Sequence, residues 1–101
     1  MVGCRTSGVI LADGVAVGEG CKLISIHATS VATATTIYVF DSNTTATGTE
    51  IARINLAANQ TIEFDMHGVI CKHGVFVAER ALNAAIGATT GGAMAVTIEY
   101  V

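Results

Sequence analysis

Four potential metal ligands lie close together in the sequence: Asp65, His67, Cys71 and His73. Zinc sites are built from such donors when they converge on one point. The spacing from His67 through Cys71 to His73 matches no standard zinc finger or ribbon, and the sequence offers no second cysteine pair. We therefore interpret the histidines as turn residues that flank a buried thiol, and we expect no metal or other cofactor.

Two further groups of residues could support acid–base or nucleophilic chemistry. Glu63 and Asp65 are two residues apart on a predicted strand, which would place their carboxylates roughly 6–7 Å apart, a separation that a glycosidase pair could use. Ser25 and His27 have the same spacing and Asp41 could complete a triad, but the nucleophile-elbow motif G-x-S-x-G is missing. A polar solvent face and cross-strand pairing explain both groups better, so we predict that the protein is not an enzyme.

β-Strands would have to position these side chains. Residues 37–40 are β-branched and aromatic without a polar break, which indicates a strand covered on both faces. Residues 51–56 and 61–66 alternate between apolar and polar side chains, as expected for half-buried strands. Residues 57–60 between them are short enough for a hairpin turn.

The rest of the chain continues this pattern. Further strands are predicted at 4–12, 15–17, 21–30, 69–71, 75–78 and 94–101, with turns that include His67-Gly68. Within 21–30 we expect Ile24, Ile26 and Ala28 to face the core. Residues 81–88 could form a helical turn or an ordered loop, and residues 89–92 a flexible connector. Seven or eight short strands in a single domain (1–101) predict an all-β, antiparallel β-sandwich that is jelly-roll-like.

The composition indicates a protein that assembles. Charged residues make up 13% of the chain, about half of the usual 25%, while 51% are hydrophobic. A domain this small cannot bury so much apolar surface, so we expect another chain to cover part of it. The sequence contains no proline, and edge strands without proline or many lysines are poorly protected from pairing with neighbours.

Charge and hydropathy also exclude some partners. The net charge is −3 and no Lys/Arg cluster is present, which argues against nucleic acid. Two uncharged runs, 23–40 and 81–98, approach the length of a membrane helix, but polar residues and turn signals interrupt both, so we expect no membrane partner. Cys4, Cys21 and Cys71 are odd in number and far apart, which favours free, buried thiols in a reducing compartment.

Five segments resemble a group of small phage virion proteins. They are a hydrophobic strand that ends in Asp (37–41), a Thr/Gly loop (44–50), an I-A-x-I-x-L strand (51–56), a G-V-x-V strand (74–77) and a C-terminal V-T-I-x-Y strand (96–100). The residues from 80 to 92 are an insertion relative to the shortest members. The resemblance implies a β-sandwich used as a building block of the bacteriophage virion.

The commonest role implied by this resemblance is a structural capsid decoration, or cement, protein. Such a protein is often a homotrimer seated between major capsid protein subunits, made in the host cytoplasm and located on the capsid surface of the virion. A tail or fibre subunit remains an alternative, as does a carbohydrate-binding module. The residues that we expect to contribute to an interface are Tyr38, Phe76, Ala81, Leu82, Ile86 and Tyr100, because the uncharged segment 81–92 could contact a neighbouring subunit.

Overall fold

The computed structural model describes residues 4–88 and 93–101, and within these ranges it contains eight β-strands and no helix. The strands are β1 (Arg5–Ile10), β2 (Gly14–Val17), β3 (Cys21–Val31), β4 (Thr35–Asp41), β5 (Thr49–Leu56), β6 (Thr61–Cys71), β7 (Val75–Ala81) and β8 (Ala93–Tyr100). The all-β prediction is confirmed. The predicted connector at 89–92 lies outside the described residues.

The strands form two antiparallel sheets of four. The first sheet has the order β1-β8-β3-β6 and the second has the order β2-β7-β4-β5. Most consecutive strands therefore lie in different sheets, and among the strands of the described residues only β4 and β5 are both consecutive in sequence and paired in a sheet. This is the strand order of an eight-stranded jelly roll, so the predicted sandwich is confirmed.

One predicted connection is wrong. Residues 57–60 form a turn, in which the N–H of Gln60 donates to the carbonyl of Ala57 at 3.2 Å and Asn59 has a positive φ of 58°. However, β5 pairs with β4 and β6 pairs with β3, so this turn crosses from one sheet to the other and closes no hairpin. The length of a turn does not reveal which strands it pairs.

The main core lies between the two sheets. It consists of alternate residues from seven strands and is almost fully excluded from solvent: Val17, Leu23, Ile26, Ala28, Ile37, Val39, Ile54, Leu56, Cys71, Val75, Val77, Met94, Val96 and Ile98. Burial of this apolar surface is the main source of stability in such a fold. The apolar faces predicted for 51–56 and 94–101 both contribute to it.

A β-bulge changes the predicted face of β3. Leu23, Ile26 and Ala28 are buried, whereas Ile24 is only half-buried, so the expectation that Ile24 faces the core is wrong. The register of β3 against both of its neighbours shifts between Leu23 and Ser25. An extra residue at that point exchanges the two faces of the strand.

A second bulge replaces a predicted turn. His67 and Gly68 have positive φ angles of 55° and 81°, but β6 runs through them without ending. The pairing with β3 passes from Asp65 directly to Val69, so the residues between them are left out of the ladder. Strand β6 is one of the two edge strands of the first sheet, and bulges are common in edge strands.

The outer face of the second sheet carries a small aromatic cluster, formed by Tyr38, Phe40, Phe76 and Ala78. The rings of Tyr38 and Phe40 stack with centroids 6.1 Å apart and an interplanar angle of 13°. All four residues are buried, so β4 is covered on both faces, as its uninterrupted apolar sequence predicts.

Candidate functional site

Four polar side chains converge on the outer face of the first sheet, from three adjacent strands. Ser25 and His27 lie on β3, Glu99 on β8 and Glu63 on β6. The Ser25 hydroxyl donates to Glu99, and His27 Nε2 lies 2.9 Å from the same Glu99 oxygen. On the other side of the ring, His27 Nδ1 lies 3.5 Å from Glu63 Oε2. Cross-strand pairing thus brings Glu63 of one candidate catalytic group to Ser25 and His27 of the other, whereas Asp65 contacts His67 instead.

The local electrostatics favour a charged Glu99. The hydroxyl of Ser25 and then the imidazole of His27 lower the pKa of the Glu99 carboxyl, because both stabilise its ionised form. Ser25 therefore donates to a carboxylate, and its oxygen lies 3.4 Å from His27 Nε2. Sequence reasoning missed Glu99 because its proximity to Ser25 follows from the pairing of β3 with β8.

Asp41 is the last residue of β4, and its carboxylate reaches the turn between β6 and β7. Its carboxylate accepts the backbone N–H groups of Lys72 at 2.9 Å and His73 at 2.8 Å. Partial burial acts to raise the pKa of Asp41, but these backbone donors outweigh it and the pKa is lowered. Asp41 thus organises a turn instead of completing a triad with Ser25 and His27.

The four candidate metal ligands do not converge on one point: His67 Nδ1 lies 3.4 Å from Asp65 Oδ1, but Cys71 and His73 have other partners. Asp65 accepts the backbone N–H of His67 at 2.8 Å, Cys71 is buried in the core, and the N–H of His73 donates to Asp41. Within residues 4–88 and 93–101, no three His, Cys, Asp or Glu side chains come together in a way that could hold a metal ion.

The predicted interface residues have very different environments. Tyr38 and Phe76 are only 3% and 9% exposed, because they belong to the aromatic cluster within the chain. Ile86 packs against that cluster, and Tyr100 packs partly against the main core. The remaining two, Ala81 and Leu82, are exposed. Tyr38 and Phe76 therefore leave little side-chain surface for a partner, and the interface role of these residues stays a prediction.

Residues 82–88 fold back over the second sheet as an ordered loop. Tyr38 donates its hydroxyl to the carbonyl of Ala84, and Arg80 Nε donates to the carbonyl of Ile86 at 2.9 Å. Turn hydrogen bonds join Ala84 to Ala81 and Ala88 to Ala85, at 2.8 and 2.9 Å. Of the two alternatives left open by the sequence, the ordered loop is the observed one, and this part of the segment covers its own sheet.

Large apolar side chains are exposed at the edges of the sandwich. On the side formed by β1 and β2, Val9 and Leu11 are 64% and 68% exposed, and Val15 is also exposed. On the opposite side, β6 exposes Phe64, Val69 and Ile70, with Ile70 at 69%. We call these two surfaces the β1–β2 edge and the β6 edge.

The two edges also carry unused backbone groups. Strands β1 and β6 are the outermost strands of the first sheet, and β2 is an outermost strand of the second. Such strands have N–H and C=O groups on one side that no strand of their own sheet pairs. A strand of another molecule could pair with these backbone groups and cover the exposed apolar side chains beside them.

The described residues enclose no pocket. They form strands and loops, and the structure has no helix among them that is long and apolar enough to cross a membrane. Comparisons of the chain with protein-family models, with curated proteins and with solved structures give no match. The candidate site therefore rests on the geometry of the two edges and the polar face.

Proposed function

We propose that this protein is a structural subunit of a phage virion, and specifically a capsid decoration protein that forms homotrimers and binds the major capsid protein. The observation that carries the proposal is the presence of two apolar strand edges on opposite sides of one small sandwich. The resemblance of residues 37–100 to small virion proteins supports the same role. Eight-stranded jelly rolls occur in viral capsid domains, although also in lectins and cupins.

The two edges differ from each other, so a contact between them would be heterologous. When one surface of a protomer binds a different surface of the next, the contacts repeat and close if the rotation allows it. We therefore propose that the β1–β2 edge of one copy packs against the β6 edge of the next, with three copies closing the ring. A standard interface buries about 800 Å² per partner, and this chain has 5258 Å² of accessible surface, so two such contacts fit on it.

The test is the molar mass in solution, measured by size-exclusion chromatography with light scattering. We expect a trimer for the natural chain and monomers for Leu11→Glu and Ile70→Glu, because each substitution places a charge in one edge. Val31→Glu is the matched control, since Val31 is also exposed but lies in neither edge. Circular dichroism checks that all three variants remain folded.

Mixing the two monomeric variants tests the pairing itself. Leu11→Glu keeps an intact β6 edge and Ile70→Glu keeps an intact β1–β2 edge, so the mixture should form a heterodimer through the one remaining contact. Cosedimentation with undecorated capsids of the encoding virus then tests the second half of the proposal. A natural chain that stays monomeric at all concentrations and does not bind such capsids would refute the decoration role.

A carbohydrate-binding role receives less support. Sugar-binding surfaces use exposed aromatic rings, and Tyr38, Phe40 and Phe76 are all buried here. Phe64 is exposed but lies in the β6 edge. Specific, saturable binding on a glycan array would favour this role over the first.

A further inference from the structure

Cys21 and Cys71 lie directly opposite each other on adjacent strands, although they are far apart in sequence. Cys21 begins β3, Cys71 ends β6, and the two are register partners in the antiparallel pair. Cys71 is fully buried and Cys21 is half-buried against the same core. Directly opposed residues project to the same face of a sheet, so the two thiols are neighbours.

The backbone pairing brings the Cα atoms of the two cysteines within the range of a disulfide. Lys22 exchanges both of its hydrogen bonds with Val101, at 3.0 and 2.9 Å. Since successive residues of a strand turn their backbone groups to opposite neighbours, Cys21 turns its own toward β6. Opposed residues of this hydrogen-bonded kind have Cα atoms about 5.5 Å apart, which lies within the range of natural disulfides. Their Cβ atoms lie toward the upper end of about 4.5–5.5 Å, so a bond of normal geometry requires the ends of β3 and β6 to draw together by about 1 Å.

We propose that Cys21 and Cys71 are a disulfide-forming pair that closes by exchange with a small-molecule disulfide such as oxidised glutathione. The more accessible Cys21 attacks first: its thiolate attacks one sulfur of oxidised glutathione and forms a mixed disulfide. One reduced glutathione leaves as the thiolate. Cys71, as the thiolate, then attacks the Cys21 sulfur and releases the second. The protein loses two hydrogen atoms, and one oxidised glutathione is reduced to two thiols.

The environment of the pair makes this reaction slow at neutral pH. Burial, followed by the neighbouring Cys21 and Asp41, raises the pKa of the Cys71 thiol to about 12. Burial also raises the pKa of Cys21, and Asp41 and Glu19 add to the effect while contact with Cys71 opposes it. Because only the thiolate reacts, the rate of closure should rise about tenfold per pH unit through the neutral and mildly alkaline range.

Closure would fasten the β6 edge to the middle of its sheet. Cys71 follows directly on the exposed Val69 and Ile70, so the bond would fix the strand that presents them. The closed loop would span about 50 residues, a length for which a disulfide raises the melting temperature substantially. This inference is independent of the proposed function, because it concerns the single chain.

The test uses the full chain with the exposed Cys4 replaced by Ser, treated with oxidised glutathione at pH 8. We expect loss of both remaining thiols, a mass lower by two hydrogens, no retained glutathione and a Tm raised by roughly 10 °C or more. Dithiothreitol should reverse all of these changes. Adding Cys71→Ala should leave glutathione attached at Cys21, and adding Cys21→Ser instead should leave Cys71 unmodified.

Three results would overturn the inference. They are two thiols that still titrate after prolonged treatment at pH 9, a stable glutathione adduct on the Cys4→Ser protein, and a disulfide that joins two chains. Each would contradict closure of the pair within one molecule.

Discussion

Replacement of Arg80 by methionine should destabilise the protein far more than the same change at Arg53. Arg80 Nη1 lies 2.6 Å from Asp13 Oδ2 and donates to the carbonyl of Glu79, while Nε donates to Ile86. The side chain of Arg80 is 11% exposed and that of Asp13 is 27% exposed. Arg80 thus connects the segment before β2, strand β7 and the loop over the second sheet.

The expected magnitude follows from the burial of the pair. Removing one partner of a buried ion pair costs about 3–5 kcal/mol, because the other charge stays in a poorly solvated position. Water reaches part of Asp13, so we expect a lower value of about 2–4 kcal/mol for Arg80→Met. For a domain of this size that corresponds to a Tm lower by roughly 10–25 °C.

Arg53 provides the matched control. Its guanidinium makes two hydrogen bonds to Glu50, at 2.8 and 2.7 Å, and lies 4.8 Å from the centroid of the Tyr38 ring. The arginine side chain here is 57% exposed, so solvent screens the pair and replaces it after mutation. We expect Arg53→Met to cause much the smaller change.

Urea unfolding followed by circular dichroism gives both values, and a double-mutant cycle with Asp13→Asn isolates the pair. The double variant should lose less stability than the sum of the two single variants, because Arg80→Met no longer leaves a charge unpaired. Amide hydrogen exchange at Ala84 and Ala88 should also accelerate in Arg80→Met, as the loop loses its bond to Arg80. Equal losses from Arg80→Met and Arg53→Met would refute the argument from burial.

Two other substitutions test the structure at separate points. Gly74→Ala should destabilise the protein by about 3–5 kcal/mol, because Gly74 has a φ of 144° and a β-carbon there would overlap a carbonyl oxygen of β2. Gly18→Ala is the control, since a β-carbon at Gly18 meets no atom within 4 Å. In a urea titration the control variant should be nearly as stable as the natural chain. Ser25→Ala should raise the pKa of Glu99, read from carboxyl ¹³C shifts, since its hydroxyl is the main cause of the lowered value. A carboxyl group whose pKa is lower in the folded state stabilises the protein at pH values above its unfolded pKa of about 4.3. The natural chain should therefore be more stable than Ser25→Ala above that pH, and the difference should disappear as the pH falls through the lowered pKa of Glu99. An unchanged Glu99 titration would contradict the assignment.

Periodicity was enough to predict the fold class but not every face. The alternation in 94–101 places Met94, Val96 and Ile98 in the core as expected. The same reasoning failed at Ile24, because one bulged residue exchanges the faces of β3 and leaves no mark in the local sequence. We predicted a turn at His67-Gly68, but these residues form a bulge within β6. Turns and bulges can both place residues at positive φ, so the residue types alone do not distinguish them.

The aromatic residues show a second limit. The uninterrupted run 37–40 correctly indicated burial on both faces, but it did not reveal what covers the outer face. The apolar residues packed against this face are Ile86 and Ala46, from loops that follow different strands, and the guanidinium of Arg53 lies over the ring of Tyr38. Tyr38 and Phe76 were therefore expected at an interface between chains, whereas their apolar surface is covered within one chain.

The sequence by itself determined most of the strands, the β-sandwich and the apolar composition, because these depend on side-chain type and on the two-residue repeat of a strand. Only the tertiary structure decided which strands pair, and therefore that Ser25 lies opposite Glu99 and Cys21 opposite Cys71. In a jelly roll most partners are distant in sequence. Their pairing is set by the way the two sheets pack together, and it cannot be inferred from any short segment of the sequence.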